Sequence, residues 1–266
     1  MTTSPLTEPE IERAFGDLAP PPAPASAREE WRRYAGFLKR PRLPSAGTET
    51  GSYPAIGRLL ALDLALMMLF FATLSAAQAF GFTLPDNVNN ALTPDLATLA
   101  LIVLAAPIGE ELIFRSWLRG HPGVMAATAC VVLGFALLTI GALYPEGSSI
   151  ALALGLAGAL AALIGAPLGA FLLLKRPVPA FFANHFPVFF WLSTAAFALI
   201  HLANYTEGSL PILLLLVLPQ FLLGTMLGYL RVHYSLVAAI VLHAVHNAVL
   251  FGLAVLGGLG ETAPAA

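Results

Sequence analysis

Two adjacent glutamates within an apolar stretch, Leu99 to Leu112, constrain this chain more than any other feature. Glu110 and Glu111 stand side by side, and Arg115 follows on the next helical turn. If the stretch crosses a membrane, each unpaired carboxylate costs from about 2.5 to more than 10 kcal/mol, unless water or a counter-ion reaches it. Both carboxylates therefore need partners or water, which favours a functional site over an inert span.

The composition indicates that the stretch belongs to a membrane protein. Of 266 residues, 58% are hydrophobic and 11% charged, and the mean hydropathy is +0.81, outside the range of a soluble globular domain. Apolar runs of about 20 residues are long enough to cross a bilayer. They predict an all-α polytopic transmembrane helix bundle of about seven spans, or eight as an alternative, near residues 57–82, 94–116, 123–144, 149–174, 186–204, 210–230 and 235–257.

The thirteen Lys and Arg residues predict the orientation of the bundle. Eight precede or open the first span, and the others follow the second, fourth and sixth spans, at Arg115, Arg119, Lys175, Arg176 and Arg231. All of them fall on one side, and the connections on the other side contain none. Because Lys and Arg collect in cytoplasmic loops, we expect a cytoplasmic N-terminus and a C-terminus on the opposite side.

The sequence divides into three regions. Residues 1–54 form a polar, proline-rich cytoplasmic tail, 55–257 the transmembrane domain, and 258–266 a short C-terminal tail. Within the first tail, Pro20 to Pro24 is typical of a stiff linker. Residues 28–42 mix basic and aromatic side chains, as in a helix lying on anionic lipid, although an ordinary basic flank of the first span explains them equally well.

Polar residues inside three spans indicate a site. Glu111 lies four residues before Arg115 and can pair with it on one helix face, whereas Glu110 points about 100° away, into a different environment. His201 is the only ionisable group deep in the fifth span, and such a residue alone is more typical of a satisfied core position. His243 and Asn247 lie one turn apart in the seventh span and can donate two hydrogen bonds to an oxyanion.

Other polar side chains have simpler interpretations. Asp63, near the start of the first span, is predicted to reach lipid headgroups or to pair with Arg58. For His246 a hydrogen bond to a neighbouring helix is favoured over a part in the site, and Gln220 is expected to hold helices together.

Three motifs, in order on successive helices, resemble those of the CPBP intramembrane proteases. They are E-E-x-x-x-R at 110–115, F-x-x-x-H at 197–201 and H-x-x-x-N at 243–247. This family includes the type II CAAX prenyl endopeptidases and bacterial proteins linked to bacteriocin self-immunity. The resemblance covers roughly residues 95–255.

The resemblance implies an endopeptidase that cleaves a membrane-associated or lipid-modified peptide within the membrane. In this interpretation Glu110 and His201 activate the attacking water, and His243 and Asn247 stabilise the oxyanion. The supporting residues would be Glu111, Arg115 and Phe197.

The chain departs from the family pattern in one respect. Two extra spans separate Arg115 from the helix that carries His201, and their even number preserves the topology. An uninterrupted fifth span would also place His201 on the order of 10 Å deeper than Glu110, at 1.5 Å per residue. A helix break near Pro179 and Pro187 would remove this mismatch.

Metal dependence and function class stay open at this stage. Glu110, His201 and His243 are an alternative set of zinc ligands, but the absence of an H-E-x-x-H helix favours a glutamate base. A proton-coupled transporter or a catalytically silent scaffold are the alternatives to a protease. We expect membrane lipid and a peptide or protein substrate as partners, no nucleic acid, and a bacterial inner membrane as the location.

Overall fold

The computed structural model describes residues 24–44 and 51–261, and every regular element in these ranges is a helix. Most of the proline-rich linker and residues 262–266 of the C-terminal tail lie outside the described residues. Within these ranges six helices are long and apolar enough to cross a membrane, and the number is seven when one bent pair of helices is counted as a single span. The prediction of an all-α polytopic bundle is confirmed.

The helices follow one another along the chain, and a 3₁₀ turn, Val88–Ala91, lies in the long connection between the second and the third. They are α1 (Ala27–Lys39), α2 (Ser52–Ala79), α3 (Leu96–Arg119), α4 (Pro122–Gly141), α5 (Ser149–Leu173), α6 (Ala180–Asn184), α7 (Phe186–Asn204), α8 (Leu210–Leu216), α9 (Leu218–His233) and α10 (Leu236–Glu261). The span predicted at 210–230 is the bent pair α8 and α9, with an angle of 44° between them. Pro219, near the start of α9, has no N–H to continue α8.

Helix α9 is the centre of the core. Large side chains from α1, α2, α7 and α10 pack around it at the end of the bundle that carries the basic residues. Gly228 allows one of the closest approaches, because a Cβ there would lie 2.7 Å from the ring of Phe190. The core therefore closes the basic end of the bundle with tightly packed aromatic and aliphatic side chains.

Helices α4 and α5, the two extra spans, form a hairpin at the edge of the bundle. A Cβ on Gly134 would lie 2.8 Å from the carbonyl oxygen of Gly158, so the two backbones are in direct contact. Small residues at such a crossing let helices pack closely in lipid. The hairpin joins the rest of the protein near the end of α3, where the hydroxyls of Ser116 and Thr128 are 3.1 Å apart.

Of the two interpretations left open for residues 28–42, the helix is present as α1, but its apolar face packs on protein. The carboxylate of Glu30 is completely buried and accepts hydrogen bonds from the hydroxyls of Tyr229, at 2.7 Å, and Tyr234, at 3.0 Å. Phe37 packs edge-on against Phe190. This helix is therefore part of the core, in contrast to a helix that only rests on lipid.

Candidate active site

The predicted pair of Glu111 and Arg115 is confirmed. Oε1 of Glu111 lies 3.1 Å from Nη1 of Arg115, and both side chains are completely buried. Nη2 of Arg115 also lies 3.5 Å from the carbonyl oxygen of Gly224. Because Gly224 has no side chain, the guanidinium has room beside it. A buried ion pair of this kind needs further polar partners to offset its desolvation.

Phe197 supplies one such partner. The guanidinium carbon of Arg115 lies 3.8 Å from the centre of the Phe197 ring, a distance at which a cation is attracted to the ring face. The same ring also packs at a steep angle against His201 and His243, with ring centres 5.0 and 5.6 Å apart. Phe197 therefore separates the buried Arg115 from the two imidazoles and holds all three groups in place.

His243 connects the two adjacent glutamates. Its Nδ1 lies 3.1 Å from Oε1 of Glu111, and its Nε2 lies 3.8 Å from Oε2 of Glu110. The same oxygen of Glu111 thus accepts hydrogen bonds from both Arg115 and His243. The other nitrogen of the ring faces Glu110, the glutamate that the helical geometry places on a different side.

Glu110 is the exposed member of the pair. Its side chain is 25% accessible, and its Oε2 has no hydrogen-bond partner among the described residues. Oε2 itself is shielded from solvent beside His243, whereas the side chain as a whole lines the cavity, where its accessible part can meet a water molecule or a substrate group.

His201 lies at the point where α7 tightens into its last, 3₁₀-type turn. Its Nδ1 is 2.8 Å from the carbonyl oxygen of Phe197, so Nδ1 carries the proton and Nε2 is an acceptor. The predicted break before this span is present, because α6 ends at Asn184 and α7 begins at Phe186, just before Pro187.

Asn247 is held by an irregularity in α3. Residues 101–105 form a π-helical turn, in which the N–H of Ala106 donates to the carbonyl of Leu101. Pro107 has no N–H, so the carbonyl of Ile102 lacks a helical donor. The side-chain nitrogen of Asn247 donates to that carbonyl at 2.9 Å. The amide is therefore oriented by a backbone group that a regular helix would not offer.

A single cavity of about 940 Å³ brings these residues together. Glu110, Phe197, His201, His243 and Asn247 all line it, so the expected offset in depth does not separate Glu110 from His201. Glu111 and Arg115 lie behind the wall, completely buried. Gln220 and Asn204 line the cavity as well, which the sequence analysis did not anticipate.

The prediction for Asp63 is wrong. Its carboxylate lies 2.5 Å from Nδ1 of His246, whereas Arg58 approaches Glu30 at 3.6 Å. The favoured interpretation of His246, a hydrogen bond to a neighbouring helix, is confirmed, and His246 lines the cavity too. The sequence indicated this pair by a single carboxylate in one apolar span and a second imidazole in another. Ionisable side chains at membrane depth are stabilised by pairing with each other.

The alternative zinc ligands do not form a ligand set in this geometry. Within the described residues no three His, Cys, Asp or Glu side chains are grouped closely enough to hold a metal ion. In this arrangement the three side chains do not fit a site with three protein ligands.

Comparison with known proteins identifies the family of the chain. A family model described as type II CAAX prenyl endopeptidase Rce1-like matches residues 92–249, more than half of the chain. Neither the curated proteins nor the solved structures contain a significant match. The matched range contains every predicted site residue, and the expected relation to the CPBP proteases is confirmed. The chain is an integral membrane protein that belongs to the type II CAAX prenyl endopeptidase Rce1-like family.

Proposed function

We propose that this protein is an intramembrane endopeptidase in which Glu110 is the general base. One observation carries the proposal: Glu110, His201, His243 and Asn247, from three separate spans, line one cavity. The family match supports a CAAX-type protease at the level of the family. The substrate is a membrane-associated or lipid-modified peptide.

Glu110 activates the attacking water. As the water oxygen bonds to the carbonyl carbon, one water proton moves to the Glu110 carboxylate and the carbonyl electrons move to the oxygen, which becomes an oxyanion. When the oxyanion collapses, the C–N bond breaks and Glu110 returns the proton to the leaving nitrogen. The position of Glu110 on the cavity wall, with a partly accessible side chain, supports this role. General acid–base catalysis of this kind contributes about 10² to 10⁴ in rate.

His201 orients the same water. Because its Nδ1–H faces the carbonyl of Phe197, its Nε2 is left as an acceptor for the second water proton. A water held between a carboxylate and an imidazole presents its lone pair to the carbonyl carbon.

His243 and Asn247 stabilise the oxyanion. The Asn247 amide has two N–H donors, and one of them is taken by the carbonyl of Ile102, so the other can reach the oxyanion. Nε2 of His243 donates when the ring carries both protons, and the carboxylate of Glu111 at Nδ1 supplies the counter-charge, because Glu110 is protonated at this stage. A single oxyanion donor is worth about 10² to 10³ in kcat.

Glu111, Arg115 and Phe197 are positioning residues in this proposal. Glu111 holds Nδ1 of His243, Arg115 holds Glu111, and Phe197 packs between Arg115 and both imidazoles. Rigid support of this kind keeps a catalytic group within a fraction of an ångström of its working position.

Cleavage of a peptide library by protein purified in detergent tests the proposal. We expect Glu110→Gln and His201→Ala each to lower cleavage at least about 100-fold. The matched controls, Glu146→Gln and His185→Ala, change exposed residues that do not line the cavity and should keep full activity. Wild-type cleavage by Glu110→Gln would overturn the proposal. Substrate flux across liposomes without cleavage would favour a transporter instead.

A further inference from the structure

We propose that a second cavity, between the end of α1 and the start of α7, binds the phosphate of an anionic phospholipid. We call it the basic cavity, because Lys39, Arg40 and Arg42 line it. Its volume is about 560 Å³, which is within the range of small-molecule sites. It shares no lining residue with the cavity that contains Glu110, so binding there does not depend on the proposed protease activity.

The walls of the basic cavity come from segments that are distant in the sequence. The end of α1 and residues 40–43 form one wall, and α6 with the first turns of α7 forms the other. Phe37 joins the two walls, because its ring packs against those of Phe186 and Phe190, with ring centres 6.5 and 5.0 Å apart. These contacts between buried aromatic rings hold the cationic segment beside α7.

The backbone after α1 directs two guanidinium groups to the same side. Arg40 caps the helix and has left the helical conformation, as expected for a residue that precedes a proline. Pro41 is buried, whereas Arg40 and Arg42 are exposed. Because alternate residues of an extended segment point to opposite sides, both Arg side chains leave the chain on the side away from Pro41. Lys39 adds a third cation to the same cavity.

These three cations have no counter-charge in the part of the chain that the structure describes. Within that part, no Asp or Glu lines the basic cavity, and the side chains of Lys39, Arg40 and Arg42 make no hydrogen bond or ion pair. Like charges this close together repel one another, and a bound anion would offset the repulsion. Guanidinium groups bind phosphate oxygens through pairs of N–H donors, so a phosphate suits this cavity well.

The surroundings of the basic cavity suit a phosphate that is attached to acyl chains. The cavity lies where the apolar span α7 begins, and Trp191, a residue type common at the membrane interface, lines it. Phe181, Val188 and Leu192, on α6 and α7, are apolar and more than half exposed. Acyl chains can cover this surface while the phosphate meets the cations. Basic pockets between membrane helices are known to bind anionic headgroups in this way.

Native mass spectrometry of the protein in detergent tests the proposal, with phosphatidylglycerol as the probe and phosphatidylcholine as the zwitterionic reference. Each cation beside an anionic headgroup is worth about 5-fold in affinity, so Arg40→Gln/Arg42→Gln should weaken phosphatidylglycerol binding about 25-fold. The matched control, Lys175→Gln/Arg176→Gln, removes two exposed cations outside the cavity and should leave binding unchanged. Equal losses in both double variants, or equal binding of the two lipids, would overturn the proposal.

A second variant blocks the basic cavity without changing any charge. Ala183 is exposed and lines the cavity, so Ala183→Trp should fill it and weaken phosphatidylglycerol binding. Ala180→Trp, at an exposed position of the same short helix outside the lining, is the control. Unfolding midpoints without lipid show whether both variants are folded, and if Ala183→Trp is not, the arginine variant alone decides. Undiminished binding by folded Ala183→Trp would overturn the proposal.

Inorganic phosphate distinguishes a lipid from a free anion. We expect phosphate to displace phosphatidylglycerol no better than chloride at the same ionic strength, because only the lipid has acyl chains to place on the apolar surface of α6 and α7. Displacement by phosphate beyond that by chloride would overturn the assignment to a lipid.

Discussion

The carboxylate of Asp63 in the first span lies 2.5 Å from Nδ1 of His246 in the last span, and both side chains are buried. His246 also lines the cavity that contains Glu110. Neither residue is one of the fixed positions of the three sequence motifs. This pair fastens α2, which lies outside the matched family range, to the helix that carries His243 and Asn247.

Replacing Asp63 with Leu should lower the free energy of unfolding by about 3–5 kcal/mol, because it removes one partner of a buried pair and leaves the other uncompensated. The double variant Asp63→Leu/His246→Leu should recover much of this loss, since both polar groups are then absent. Unfolding in detergent measures both variants. Equal stability of the single and double variants would show that the pair is not coupled.

Although Glu110 and Glu111 are adjacent, replacing them should have different effects on the stability of the protein. Glu111→Gln weakens the ionic partner of both Arg115 and His243, so we expect a loss of about 3–5 kcal/mol. Glu110→Gln should leave the unfolding midpoint unchanged, because its side chain is partly exposed and its Oε2 has no hydrogen bond to lose. Denaturation of the two purified variants side by side checks this. Similar losses in both would contradict the division into a supporting and a cavity-facing carboxylate.

Phe197→Leu should destabilise the protein by about 2 kcal/mol or more, because a desolvated cation–π contact is worth about that much. The substitution keeps the site apolar but removes the ring 3.8 Å from the Arg115 guanidinium. Phe171→Leu, at an exposed apolar position of the hairpin, is the matched control and should have no effect. Thermal unfolding of both variants gives the comparison, and equal shifts would exclude a special role for the Phe197 ring.

Asn247→Ala should lower kcat about 10² to 10³-fold with little change in KM, if its free N–H acts on the oxyanion. Asn184→Ala, at an exposed position outside the cavity, is the control. Steady-state kinetics with a peptide identified from the library separates the two constants. A raised KM at unchanged kcat would instead assign Asn247 to substrate binding.

Removal of metal should leave activity unchanged. The described side chains do not group as metal ligands, and Glu110 supplies the base in the proposed reaction. Dialysis against a strong chelator, followed by the cleavage assay and metal analysis of the same sample, measures this. Activity that is lost with the chelator and restored by Zn²⁺ would replace the glutamate mechanism with a metal-dependent one.

Local spacing along single helices predicted much of this site. The pair of Glu111 and Arg115 follows from a separation of four residues, and the apolar runs located the spans to within a few residues. Residues of one motif on one helix have a fixed relation whatever the tertiary structure, so these predictions needed no knowledge of neighbours.

Contacts between distant segments could not be predicted in the same way. Asp63 had several candidate partners, and only the packing of α2 against α10 selects His246. The amphipathic pattern of α1 suits a lipid surface and a protein surface equally, so its docking on α9 depends on the fold. Asn247 donates to the carbonyl of Ile102, which has no helical donor because Pro107 lacks an N–H. The sequence shows the proline, but it does not show which side chain donates to that carbonyl.

The two ends of the α4–α5 hairpin almost meet. A Cβ on Gly120, just before the hairpin, would lie 2.7 Å from Val178, just after it, and 2.6 Å from the ring of Phe182. A pair of spans that begins and ends at the same place can be lost or exchanged during evolution, because every later helix keeps its direction across the membrane. The hairpin is therefore a topologically separable addition to the bundle that carries the candidate site.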